Sequence, residues 1–290
     1  MPKLRFDSRL SIVFFVALTL LFGWCVASPL WLGKGLQEPN FTTIASLMMF
    51  TPSLAALVIL LLEGRGRAFL RETGLWPINR PRRFLASLPL AIAVPVLLVA
   101  QAPVVGTWLG VFPGDLQNFA LLHFVAGTKG PALYLIDQAV LIAVAGLANA
   151  LLAIGEEVGW RGWLWPRLLR FGKSVAILVS GVVWGLWHAP LILLGYNYPL
   201  APVWGVFAMC GVCVVLGAFL GWIRTFSDSV WPAALAHGVF NASVGLTSLF
   251  MTVGASIDST EASIMGWSGW VAPAVVIGFV YFLTARQRRA

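Results

Sequence analysis

The 290-residue chain is 59% hydrophobic and only 10% charged, against about 25% charged residues in a typical soluble domain. So little charge cannot cover a globule with polar surface, which excludes an ordinary soluble enzyme and makes lipid the outer solvent. The net charge of +8 raises the question of nucleic acid as a partner. The basic residues, however, stand in short segments between apolar runs, with no aromatic–basic interleaving, so no nucleic acid is expected.

In chain order, Lys3, Arg5 and Arg9 precede the apolar stretch Leu10–Ser28. That stretch is longer than a signal-peptide core, so it reads as a retained first span. Thr42–Leu62 is the second span. The segment Glu63–Arg83 follows, with Gly64, Gly66, Gly74, Pro77 and Pro81, and reads as an interfacial loop attracted to anionic lipid. Phe84–Val105 is the third span. Gly106–Gly130 is semi-polar, with Pro113, Asp115 and His123, and reads as a loop or a partly inserted helix.

Four further spans follow at Ala139–Leu168, Ser174–Leu194, Pro202–Ile223 and Val230–Phe250, and Trp267–Ala285 is the last. The fourth span is interrupted by charges. Cys210 and Cys213 in the sixth have CxxC spacing but lie in an apolar run, where packing is the simpler role; Cys25 is read in the same way. Gly217 and Gly221 form a small-xxx-small pair that suits a close helix contact.

The fold expected is therefore all-α, a polytopic transmembrane helix bundle of about eight spans. It forms a single membrane-embedded domain over 1–290, with a motif-bearing core at 147–250. Alternation of the loops with the N-terminus inside places every basic residue except Lys34 and Lys129 on the inner side. Both termini are then cytoplasmic. No internal repeat of the kind that builds inverted-repeat transporters is visible.

Charged side chains inside a span are costly and need partners or a function. They concentrate in three places. Glu156-Glu157-Val158-Gly159-Trp160-Arg161 lies in the fourth span, where Glu157 and Arg161 are four residues apart and can pair on one face. Glu156 is turned by about 100° from that face. Trp184-Gly185-Leu186-Trp187-His188 lies in the fifth span, and His237-Gly238-Val239-Phe240-Asn241 in the seventh. Counted from the nearest inner basic residues, Arg167, Lys173 and Arg224, the three groups lie at roughly 16–23 Å depth. One shared site on three helices follows. Alone, each histidine is more simply a hydrogen-bonded packing residue, Glu157–Arg161 a structural pair, and Asn149 a helix-packing amide.

EEVGWR at Glu156–Arg161 is similar to the EExxxR motif of the CAAX protease and bacteriocin-processing family of intramembrane endopeptidases. HGVFN at His237–Asn241 matches its HxxxN motif. WGLWH at Trp184–His188 resembles its FxxxH motif, with Trp184 where phenylalanine is usual. The three occur in the family's order. The resemblance implies a membrane-embedded hydrolase like the type II CAAX prenyl proteases, with a set of catalytic residues made of Glu156, Glu157, Arg161, His188, His237 and Asn241. In it Glu156 activates water, His188 binds and polarises that water, and His237 and Asn241 stabilise the oxyanion. Glu157 and Arg161 orient the site.

No cofactor or metal is expected from that resemblance. A zinc enzyme would instead use Glu156, His188 and His237 as a His₂Glu set, although no HExxH is present. Intramembrane Glu and His also suit a transporter or proton relay, and the same chain could serve as a non-catalytic immunity-type membrane protein. Partners expected are membrane lipids and a lipidated or membrane-associated peptide substrate. The expected location is a prokaryotic cytoplasmic membrane, crossed several times.

Overall fold

A computed structural model of the chain describes residues 8–287, with side chains for residues 9–279. Lys3, Arg5, Arg288 and Arg289, used above to orient the chain, lie outside the described residues. Among the described residues the architecture is all-helical, and the only strand-like pairing is an isolated bridge between Gly114 and Met251.

The helices that matter for the site are α1 (Ser8–Leu32), α2 (Phe41–Met48), α3 (Thr51–Leu62), α4 (Pro81–Trp108), α5 (Pro131–Glu157), α6 (Lys173–Trp187), α7 (Pro202–Ser227), α8 (Trp231–Ser243) and α9 (Val271–Gln287). Proline opens α4, α5 and α7, where its missing N–H falls on a position that has no intrahelical partner. Gly130, with φ of 76°, supplies the backbone turn that admits Pro131. Inside α4, Pro89, Pro95 and Pro103 are carried without ending the helix, as membrane-type helices permit when neighbours re-satisfy the backbone.

Among the described residues six helices are long and apolar enough to cross a membrane: Arg9–Leu32, Phe41–Leu62, Pro81–Trp108, Pro131–Leu169, Pro202–Ser227 and Trp231–Phe250. These coincide with six of the eight expected spans. The remaining two are shorter apolar helices, Lys173–Trp187 and Trp267–Phe279. The first is short for a local reason. Pro190 has no N–H to offer the carbonyl of Leu186, so α6 ends at Trp187 and a separate turn begins at Ala189. The outward faces are apolar: on α5 alone Leu133, Val140, Leu141, Val144, Leu147 and Leu151 are exposed, the surface a lipid-facing helix presents.

The helices close on one another through glycine. A β-carbon on Gly238 of α8 would lie 2.4 Å from both the Gly146 carbonyl oxygen and the Ala150 nitrogen of α5. One on Gly185 of α6 would meet the Cys210 backbone of α7 at 2.4 Å, and one on Gly159 would meet Pro52 of α3 at 2.4 Å. Backbones therefore touch where a side chain would hold them apart. Gly217 and Gly221 work differently from the expected helix-on-helix contact. Gly217 leaves room for the guanidinium of Arg161, and Gly221 receives the ring of Trp165.

The segment after α3 is clamped rather than loose. Glu72 pairs with Arg65 and, at 3.0 Å, with Arg167, while Ser11 of α1 donates to Glu63 at 2.7 Å. The carbonyl of Gly74 accepts from the Val230 N–H at 3.1 Å and the Ser229 hydroxyl at 3.2 Å.

Candidate active site

Glu156 and Glu157 close α5, and at that point the backbone widens into a π-helical stretch, Val158–Leu164. Such widened turns put neighbouring side chains on unusual bearings and recur at functional sites. Every residue of the stretch is buried. Glu156 is 2% exposed, and Glu157 and Arg161 are fully buried.

The two carboxylates take different partners. Oε1 of Glu157 accepts from Arg161 Nη1 at 3.0 Å, as the spacing of four suggests, and also from His237 Nδ1 at 2.9 Å. Oε2 of Glu156 accepts from the indole N–H of Trp184 at 2.6 Å. Among the described residues no hydrogen bond reaches Oε1 of Glu156.

His188 stands at the break after α6. Its own backbone N–H bonds Gly185 rather than Trp184, so the Trp184 carbonyl is released, and His188 Nδ1 meets it at 2.9 Å. A carbonyl only accepts, so Nδ1 carries the proton and Nε2 of the neutral ring is the free lone pair. The same logic assigns the proton of His237 Nδ1 toward Glu157. Trp184 lies among these groups. Its ring is 4.1 Å from the Arg161 guanidinium carbon, 5.2 Å from His237 and 5.9 Å from His188, centroid to centroid for the two imidazoles. Trp187 flanks His188 at 4.8 Å and is itself fixed by an indole N–H bond of 3.0 Å to Thr51.

Of the six residues expected from sequence, five converge: Glu156, Glu157, Arg161 and His237 through direct bonds or Trp184, and His188 through the Trp184 carbonyl and ring. Asn241, one turn beyond His237, is exposed and makes no hydrogen bond among the described residues. Two contributions went unread in the sequence. One is the indole donor at Trp184, which only a count of the acceptors and donors available to a buried carboxylate suggests. The other is the glycine inside each motif, Gly159, Gly185 and Gly238, which lets the polar side chains meet by drawing their backbones together.

Among the described residues no group of three His, Cys, Asp or Glu side chains is disposed to hold a metal ion. Cys213 is buried, Cys210 partly so, and Cys25 exposed; none forms a disulfide. A separate apolar cavity of about 360 Å³ opens between α4, α5 and α8, lined by Ile92, Leu135, Gln138, Ile142, Leu235 and Val239. None of the polar cluster lines it.

The fold and the site together define a membrane-type helical bundle with a buried carboxylate–imidazole centre. Residues 136–243, which contain all three motifs, match the family described as Type II CAAX prenyl endopeptidase Rce1-like. A 49-residue stretch is 41% identical to CAAX prenyl protease 2 of Methanococcus maripaludis, over 17% of this chain and 18% of that protein. The chain thus matches less than a fifth of that relative's length.

Proposed function

We propose that the protein is an intramembrane endopeptidase that hydrolyses a peptide bond of a membrane-associated, lipidated peptide, using water activated by Glu156. The observation that supports this most is the separation of the two adjacent carboxylates. Each leaves one oxygen without a hydrogen-bond partner among the described residues, but Glu157 is tied through Oε1 to both Arg161 and His237 and is fully buried, whereas Glu156 is held only by the Trp184 indole and keeps 2% exposure.

In this reading Oε1 of Glu156 takes the proton from water as the oxygen attacks the scissile carbonyl. The neutral His188 accepts from that water at Nε2, aligning its lone pair. A cationic His237 would offer Nε2–H to the oxyanion, and Glu157, which accepts from its Nδ1, would offset the charge of the ring. Asn241 would contribute its amide as a second donor to the oxyanion. Glu156 then returns its proton to the leaving nitrogen, which completes the hydrolysis. Arg161, packed on the Trp184 ring, fixes Glu157 and so the orientation of His237. The buried setting strengthens each of these interactions relative to water.

The name of the relative points to prenylated substrates, and such a peptide is the first to test. The experiment is cleavage of lipidated and unlipidated membrane peptides by purified protein in vesicles, read by mass spectrometry. Wild type is expected to cut. Glu156→Ala, His188→Ala and His237→Ala are each expected to lose at least about a hundredfold in rate, the size of a general acid–base contribution. Exhaustive chelation is expected to leave wild-type activity intact; its abolition, with restoration by zinc, would favour a metal-dependent enzyme.

A further inference from the structure

Trp184 contacts Glu156, Arg161, His188 and His237, yet its ring chemistry alone explains only part of that. The stacking on Arg161 at 4.1 Å and the contacts with His237 and His188 need an aromatic ring. Phenylalanine would supply the same contacts. What phenylalanine lacks is the N–H that ends 2.6 Å from Oε2 of Glu156.

That bond lies in a pocket where Trp184 is 2% exposed, so no water competes for the carboxylate oxygen from the tryptophan side. A carboxylate held at one oxygen by a rigid indole cannot swing about its terminal bond. The plane of the group, and hence the direction of Oε1, is then set. The backbone of the same residue sets a second group. The Trp184 carbonyl, released where α6 ends, holds His188 Nδ1 at 2.9 Å and so fixes which imidazole nitrogen is free. One residue thus orients both groups that would handle the water.

We propose that Trp184 is a positioning residue of the reaction, whose indole N–H holds Oε2 of Glu156 so that Oε1 is presented to water. The inference rests on the proposed role of Glu156 and adds to it a residue that acts through Glu156 without touching substrate.

The test is Trp184→Phe, which keeps the ring and removes the donor, assayed for kcat and KM on the same vesicle-bound peptide beside wild type and Glu156→Gln. A positioning role predicts a fall in kcat of about ten- to hundredfold, the span expected for one hydrogen bond to a charged group. KM and the melting temperature should stay close to wild type, which a merely structural role would not give. A wild-type kcat in Trp184→Phe, with Glu156→Gln inactive, overturns this inference and leaves the proposed function standing. Activity retained in Glu156→Gln overturns the proposed function and the inference with it. If Trp184→Phe does not fold, indole ¹⁵N–¹H spectra of wild type and Glu156→Gln decide. One tryptophan N–H resonance should move upfield when the carboxylate becomes an amide, and an unchanged tryptophan set would overturn the proposal.

Discussion

Glu156 and Glu157 are adjacent, alike in chemistry and both buried, and they differ only in company. Glu157 sits between Arg161 and His237. A buried pair of this kind adds little net stability compared with apolar packing, but removing one partner strands the other charge. Arg161→Met is therefore expected to lower stability by about 3–5 kcal/mol in detergent unfolding, while Arg161→Met combined with Glu157→Gln should recover part of that loss. The Glu157–Arg161 contact was legible in the sequence because four-residue spacing is local geometry. The Glu157–His237 and Glu156–Trp184 bonds span 80 and 28 residues. Their register depends on how α5, α6 and α8 pack, which periodicity does not encode. Asn241 was grouped with His237 by spacing and by the resemblance of HGVFN to an HxxxN motif, and the structure leaves it exposed.

At the level of the helices, the motifs join two kinds of information. Each pairs costly polar side chains with a glycine that brings its backbone against a neighbouring helix. Gly238→Ala would force a methyl group to within 2.4 Å of α5 backbone atoms. The expected cost is about 1–3 kcal/mol, as for other overpacked sites, with a loss of activity larger than the loss of fold because His237 moves with α8. Equal changes in both, or no change in either, would contradict that geometry. Sequence hydropathy carried the fifth span without a break to Leu194, since Leu191, Ile192, Leu193 and Leu194 keep the run apolar. Pro190 was the available signal, and its effect is to leave His188 at a helix end with the carbonyl it needs.

The loop from Gly110 to Phe119 offers a test that is independent of the site. Backbone N–H groups of Ala120 and then Asn118 hold the carboxyl of Asp115 below its ordinary value. The folded loop therefore prefers the charged form. Its stabilisation is complete above the ordinary carboxylate range and is lost as pH falls through the lowered value. Hydrogen exchange at Asn118 and Ala120 should show protection at neutral pH that is lost on acidification, and Asp115→Ala should abolish the protection at both.

For the whole molecule, hydropathy made the class plain and the number of crossings less so. Six helices meet the length and apolarity of a span among the described residues, while Lys173–Trp187 and Trp267–Phe279 are shorter. The alternation expected from the charges would place Arg80 and Lys129 on opposite sides. Single cysteines introduced at those positions, in a chain lacking its own three, are expected to react with impermeant reagents from opposite faces of sealed vesicles. Labelling from one face would overturn the alternation.

The most direct measurement is hydrolysis in H₂¹⁸O by the vesicle-embedded protein, comparing wild type with Glu156→Gln under single-turnover conditions. Wild type should place one ¹⁸O in the new carboxylate of the product, and Glu156→Gln should yield almost no product while remaining folded. Cleavage at the wild-type rate by Glu156→Gln would contradict water activation by this carboxylate.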